Sequence, residues 1–188
     1  MTQAASRLEI QTVAVIGAGQ AGRSFALACV AAGFHVVLED VMPANLRRAR
    51  ADLVDLQAGS AKGRLDLVST VEDAVRESDI AVDFVPDELE SKLEIFSMID
   101  RMAPPKTILC TPSDALSITD LASCVYRPER CVAVRGELAS GVAVRLLYPA
   151  AVEERVLGAV SGFLRSLGIE AQTEFDPDVP MLVKNAVR

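Results

Sequence analysis

An apolar run with β-branched residues, Thr12 to Ile16, meets the turn Gly17-Ala18-Gly19-Gln20-Ala21-Gly22, and small residues then continue at helical spacing to Ala32, where Gly33 ends them. Strand, glycine turn and helix in that order restrict the chain to a few α/β architectures. The glycine spacing alone is a weak signal, because glycines also mark ordinary turns. Falling between a predicted strand and a predicted helix makes it specific. Gly17 permits the tight turn, Gly19 leaves the backbone open to a pyrophosphate, and Gly22 lets helix and strand approach closely. The free amides of the helix start favour an anion, with Ala18, Gln20 and Ala21 completing the loop. The second predicted strand, His35 to Glu39, ends at Asp40, 18 residues after Gly22. A carboxylate there accepts hydrogen bonds from the ribose hydroxyls of an adenosine, and its charge repels a 2′-phosphate, which predicts NAD rather than NADP. The competing reading is a structural turn without an anion, with Asp40 capping the helix that starts at Pro43. Arg47 and Arg48 lie inside that helix, where a solvated face explains them better than phosphate binding.

The rest of the chain alternates in the same way. From Pro43, Leu46, Ala49, Leu53 and Leu56 fall on one helical face. Leu67 and Val68 read as a short strand, Thr70 and Asp73 as the capping box of a helix ending near Glu77, and Ile80 to Val85 as an apolar strand. Leu89, Leu93 and Phe96 mark a helix closed by Pro104 and Pro105, followed by a strand from Thr107 to Cys110. Ser117 with Asp120 caps a short helix, and Cys131 to Val134 and Val142 to Leu147 read as strands. Val152, Val156, Phe163 and Leu167 stripe a last helix ended by Gly168, and Ile169 to Phe175 closes the pattern as a strand. The expected fold is a Rossmann-type α/β domain over 1–176, doubly wound, with a mostly parallel sheet, helices on both faces and right-handed crossovers. A short tail, 177–188, follows.

Composition narrows the function classes. With 188 residues, 51% hydrophobic and 24% charged, the chain can bury one sizeable core. Apolar stretches such as Ala26 to Phe34 fall far short of the roughly 20 residues of a spanning helix. Met1 to Gln11 lacks the cationic and apolar layout of a signal peptide, so a cytoplasmic location is expected and no membrane partner. Cys29, Cys110, Cys124 and Cys131 form no C-x-x-C pair, and the single His35 leaves a metal site without His partners; buried reduced thiols are the plain reading. The net charge of −7, from 26 acidic against 19 basic residues, comes without a Lys/Arg cluster interleaved with aromatics, which argues against nucleic acid.

The runs VAVIGAGQAGRSFALACVAAGFHVVLED, VPDELESKLEIF, APPKTILCTPSDALSITDLA and RPERCVAV, in that order and spacing, resemble the NAD-binding domain of the L-3-hydroxyacyl-CoA dehydrogenase family over roughly Thr12 to Asn185. The resemblance implies a CH–OH oxidoreductase of fatty acid metabolism, in which this domain holds NAD. In that family a following helical domain completes the substrate site and the dimer interface. Carried over one residue at a time, Gly17, Gly19, Gly22 and Asp40 match the cofactor motif. Asp87 stands where the family has a Glu, Lys92 matches a nicotinamide-side Lys, and Thr111 replaces a Ser and keeps its hydroxyl. Read without the resemblance, Asp87 and Lys92 are a surface ion pair at a helix start and Thr111 a strand-end hydroxyl.

The catalytic block departs from the family. After RPER the family has a strand ending in a His followed by Phe-Phe-Asn-Pro, whereas this chain reads Cys131-Val132-Ala133-Val134-Arg135-Gly136-Glu137-Leu138-Ala139. The resemblance sets Arg135 at the catalytic His. An ungapped extension sets Leu138 at the Asn and Leu147 at the Glu that orients the His. A guanidinium, with its pKa above about 12, cannot take the alcohol proton that leaves as hydride goes to NAD, and Leu147 cannot support an imidazolium. His35, expected beside the adenine end and with no carboxylate partner, reads as a strand-edge residue and not a substitute base. Between Asp40 and the helix near Val71 there are about 30 residues, where the family carries a longer helical hairpin that contacts CoA. With the domain expected to end near 176, no helical domain excludes water or orients a substrate.

Three readings follow from these residues. The favoured one is an NAD-binding module or pseudoenzyme of the family, without the ordinary catalytic His. The second is an active NAD-dependent oxidoreductase on a hydroxyacyl-CoA or another small hydroxy acid, completed by a partner chain or using Arg135 to anchor a carboxylate and Glu137 as base; a solvated loop is the plainer role for Glu137. The third is a structural Rossmann domain with an empty site. Apolar residues from Val179 to Val187 would be exposed on a lone domain, which predicts a homodimer.

Overall fold

The structure is a computed structural model that describes residues 8–57 and 62–176. Its first unit is β1 (Thr12–Ile16), α1 (Gln20–Ala32) and β2 (His35–Glu39), as the glycine pattern requires. Gly33 ends α1 in the left-handed conformation, φ 104°, with its N–H directed at the carbonyls of Cys29 and Val30. The chain continues through α2 (Pro43–Gln57), β3 (Arg64–Val68), α3 (Val71–Val75), β4 (Ile80–Asp83), α4 (Leu89–Met102), β5 (Ile108–Pro112) and α5 (Ile118–Ala122). It closes with β6 (Cys131–Arg135), β7 (Ala143–Tyr148), α6 (Glu154–Ser166) and β8 (Glu170–Phe175). Both predicted caps form: Thr70 Oγ1 accepts from the Asp73 amide at 3.2 Å, and Ser117 Oγ accepts from the Asp120 amide at 3.3 Å.

The eight strands form one sheet in the order β3-β2-β1-β4-β5-β6-β7-β8. All neighbours are parallel except β6 and β7, which pair antiparallel. Central strands are apolar on both faces because helices cover both. Val13 and Val15 face a core shared with α1, α2 and α6, through Phe25, Ala49, Val156 and Phe163. Ala14 and Ile16 face a second core shared with α3, α4 and α5, through Ala74, Phe96 and Leu121. The expected doubly wound architecture is therefore what the chain adopts.

Element ends differ from the sequence reading where charge obscures the pattern. β3 begins at Arg64, three residues before Leu67, because Arg64 and Asp66 bond to each other while their backbone pairs with β2. β4 stops at Asp83 instead of running to Val85, and β5 extends to Pro112. Among the described residues no helix is long and apolar enough to cross a membrane, and no group of His, Cys, Asp and Glu could hold a metal. All four cysteines are free, and burial raises the thiol pKa of Cys110 to about 12. The tail 177–188, the apolar Val179 to Val187 and the Leu56 side chain lie outside the described residues.

Candidate functional site

The sheet order reverses between β1 and β4, so the carboxyl ends of these strands flank a crevice of the kind that holds ligands in doubly wound folds. The glycine turn lies at its mouth. Gly17 adopts φ 98° and donates its N–H to the Glu39 carbonyl at 2.9 Å, tying the turn to the end of β2. A Cβ on Gly22 would lie 1.9 Å from the Gly17 carbonyl oxygen, so only glycine lets α1 start this close to β1. A Cβ on Gly19 would meet nothing within 4 Å. The protein leaves that side of the turn open, beside the unbonded amides of the α1 start.

Asp40 closes the crevice from β2. Its Oδ2 accepts from the Ala18 amide at 2.8 Å and from the Asn45 side chain at 2.9 Å, and its Oδ1 accepts from the Met42 amide at 2.7 Å. A carboxylate has about four acceptor sites, so these three donors leave one for a ligand hydroxyl. The Met42 and Asn45 bonds organise the start of α2, as the capping reading of Asp40 expects, while the Ala18 bond orients the glycine turn. Arg47 and Arg48 are exposed on α2. Burial and then the neighbouring Asp40 charge push the Glu39 carboxyl above its ordinary value.

Lys92 and Asp87 do not form the surface pair that is their plainest reading. Lys92 is 1% exposed, and its Nζ donates to Asp83 Oδ1 at 2.7 Å and to the Pro112 carbonyl at 3.1 Å. This ion pair joins the ends of β4 and β5. Burial raises the Asp83 pKa, and the Lys92 charge opposes that rise. Asp87 is exposed and instead accepts from the Asp114 amide at 3.1 Å, while Asp114 accepts from the Gly136 amide at 3.3 Å. Three loops at the carboxyl edge are thereby stitched together. Thr111 is fully buried, with its hydroxyl 3.5 Å from the Pro112 carbonyl. Asp83 is the site residue that sequence reasoning missed; its signal was a carboxylate ending the otherwise apolar run Ile80 to Val82.

At the far side of the crevice, Arg135 is the last residue of β6. It donates to the Leu116 carbonyl at 3.3 Å, and its Nε is buried without an acceptor among the described residues. Leu147 is 2% exposed and pairs with Ala133, which puts it on the same sheet face as Arg135 and diagonal to it. Leu138 packs against the core beneath α1 and α6. Glu137 is exposed in the β6–β7 turn and, with Leu138 and Ala139, faces Gln20, Ala21, Ser24 and Phe84 across a cavity of about 330 Å³. His35 corrects an expectation twice: it begins β2 at the edge opposite the glycine turn, and its Nε2 lies 2.8 Å from Asp66 Oδ2. Asp66 escaped notice because it reaches His35 from a neighbouring strand.

Residues 12–135 match the family model described as 3-hydroxyacyl-CoA dehydrogenase, NAD binding domain. The probable 3-hydroxybutyryl-CoA dehydrogenase of Bacillus subtilis is 33% identical over 138 residues, covering 66% of this chain and 48% of that protein. The 5-formyl-3-hydroxy-2-methylpyridine 4-carboxylate 5-dehydrogenase of Mesorhizobium japonicum is 25% identical over 190 residues, covering 95% and 61%. This chain spans about half the length of the curated relatives it matches. Among solved structures, the 3-hydroxybutyryl-CoA dehydrogenase of Escherichia coli K12 superposes with a TM-score of 0.79 at 25% identity, covering 90% of this chain and 39% of that one.

Proposed function

Because this chain belongs to the family of 3-hydroxyacyl-CoA dehydrogenase NAD-binding domains, we propose that it holds NAD in the crevice between β1 and β4 and works as an NAD-binding module without the family's His-centred proton transfer. The cradle fits the cofactor. The Gly19 side of the turn is open, the Gly22 contact admits no side chain, and Asp40 retains one acceptor site. NAD, when bound, supplies a hydride acceptor; the Ala18 bond to Asp40 and the Gly17 bond to Glu39 hold the turn that receives its pyrophosphate.

The observation that carries the second half of the proposal is the pair Arg135 and Leu147. Proton abstraction needs a group that exchanges a proton near neutral pH, with a partner for the charge it gains. At the end of β6 this chain offers a permanently charged guanidinium, and the diagonal position holds a buried leucine. Neither side chain can move a proton.

Calorimetric titration with NAD and NADH, followed by a turnover assay with acetoacetyl-CoA and NADH, tests both halves. We expect micromolar binding, a weakening of about 100-fold in Asp40→Ala, and no turnover above the buffer rate. Absence of binding at millimolar cofactor would defeat the first half. Turnover that Asp40→Ala abolishes would defeat the second.

A further inference from the structure

We propose that Arg135 and Arg145 form a binding site for the carboxylate of a small hydroxy or oxo acid at the carboxyl end of β6. The antiparallel register sets these two arginines directly opposite each other. They share a sheet face, because Ala133 and Leu147, two residues away on each strand, both face the core under α4 and α5, while Val144 and Leu146 face α6. Like charges directly opposite on one face of a sheet are unfavourable. Folding alone gives no reason for the arrangement.

Only one of the two charges is matched. Arg145 pairs with Glu174 of β8 at 3.2 Å. Arg135 makes no ion pair among the described residues; its one hydrogen bond is to the Leu116 carbonyl, and its Nε–H is shielded from water without an acceptor. A guanidinium so placed lacks the planar, two-oxygen partner that its fork of donors fits best. None of the acidic groups of the neighbouring loops forms an ion pair with Arg135 among the described residues: Asp114 receives the Gly136 amide, Asp87 receives the Asp114 amide, and Glu137 is exposed in the turn. Their charges also select the ligand. A dianionic phosphate would be repelled by Asp87, Asp114 and Glu137 more strongly than a singly charged carboxylate.

The site adjoins β5, whose Pro112 carbonyl receives Lys92, so a bound acid would lie at the same sheet edge as the cofactor crevice. The inference rests on the NAD reading only for that placement. It makes this chain a receptor for a cofactor together with a carboxylate.

The test is calorimetry with acetoacetate, ethyl acetoacetate and inorganic phosphate, each with and without saturating NADH, on the wild type, Arg135→Gln, Arg145→Gln and the α2 surface control Arg47→Gln. Acetoacetate should bind, and the uncharged ester should not. Arg135→Gln should weaken acetoacetate by about 30-fold, and Arg145→Gln by less, with NADH affinity and the Arg47→Gln control unchanged. Without ligand, Arg135→Gln should melt no lower than wild type, because it relieves a like-charge pair; a strap that only held Leu116 would lower the melting temperature. If Arg135→Gln does not fold, Arg135→Lys keeps the charge, loses the fork and should weaken acetoacetate by a smaller factor, with NADH affinity unchanged. Equal binding of the ester, tighter binding of phosphate, or acetoacetate binding indifferent to Arg135 would each overturn the proposal. Acetoacetate binding in a protein that ignores NADH sinks the cofactor reading and leaves this one. NADH binding without acetoacetate does the reverse.

Discussion

The two sides of the crevice treat polar groups in opposite ways. On the side of β1 and β2, the side chain that shapes the turn is matched within the chain: the Asp40 carboxylate takes three donors, and the Gly17 amide finds the Glu39 carbonyl. On the side of β6 and β7, Arg135 keeps a buried Nε without an acceptor and faces a second arginine in register. The first side is a scaffold that would hold its shape empty, waiting for a ligand that adds a few bonds. The second holds a charge that makes no ion pair among the described residues. The difference shows that a glycine turn is held by backbone geometry, which the fold itself completes, whereas the end of β6 depends on individual side chains, which the fold leaves open.

The largest effect should come from the boundary between the two sides. Lys92→Met leaves the fully buried Asp83 without its counter-ion, which should cost about 3–5 kcal/mol, or about 6–20 °C in melting temperature. The sign with pH is definite. Burial already raises the folded-state pKa of Asp83 above its ordinary value of 3.8, and removing Lys92 raises it further, so the variant should recover stability as pH falls through that raised value. Thermal melts at pH 8 and pH 5 check this. A variant as stable as wild type that has lost NAD affinity would show that Lys92 serves the ligand and not the fold.

A smaller effect tests the far side directly. Leu147→Glu buries a carboxylate in the core and should cost about 3 kcal/mol. Arg135, diagonal on the same face, can lend it a charge. The same substitution in an Arg135→Gln background should therefore cost about 1 kcal/mol more, measured by denaturant melts as a double-mutant cycle. Zero coupling would mean that the two positions do not share a face.

Much of this was legible in the sequence, and what was not has physical causes. The glycine turn, α1, β2 and Asp40 could be read because each needs a particular residue type at a particular place. β3 was half hidden because Arg64 and Asp66 neutralise each other on the strand, where an alternation count sees only polarity. The partner of Lys92 was misread because sequence proximity favours Asp87, five residues away, whereas the fold brings the nine-residue neighbour Asp83 to its amine. His35 was misplaced because the end of a strand at which a residue falls decides which sheet edge it occupies, and its Asp66 partner arrives from another strand. Local chemistry fixes turns and caps; pairings between strands belong to topology.

The smallest effect separates the matched side into its own parts. Glu39 is buried beside Asp40, and burial first, then the Asp40 charge, raises its pKa above the ordinary 4.5. A carboxyl whose folded pKa is raised costs stability once pH exceeds that folded value, because the unfolded chain ionises more readily. Glu39→Gln removes the cost and the repulsion together, so it should raise the melting temperature at pH 7 by about 1–3 °C. The gain should shrink as pH falls through the folded value toward 4.5, where the wild-type carboxyl is protonated in the fold. Gly17 bonds to the Glu39 backbone carbonyl, which the substitution leaves in place, and its backbone also bonds the Glu39 carboxyl, a bond the amide oxygen of Gln can still accept, so the turn should keep its shape and NAD its affinity. Differential scanning calorimetry across pH 4 to 8 with parallel NAD titrations measures both. A variant less stable at pH 7 would mean that the Gly17 bond to the Glu39 carboxyl outweighs the cost of its burial. Loss of NAD affinity at unchanged stability would move Glu39 from the scaffold into the cofactor site.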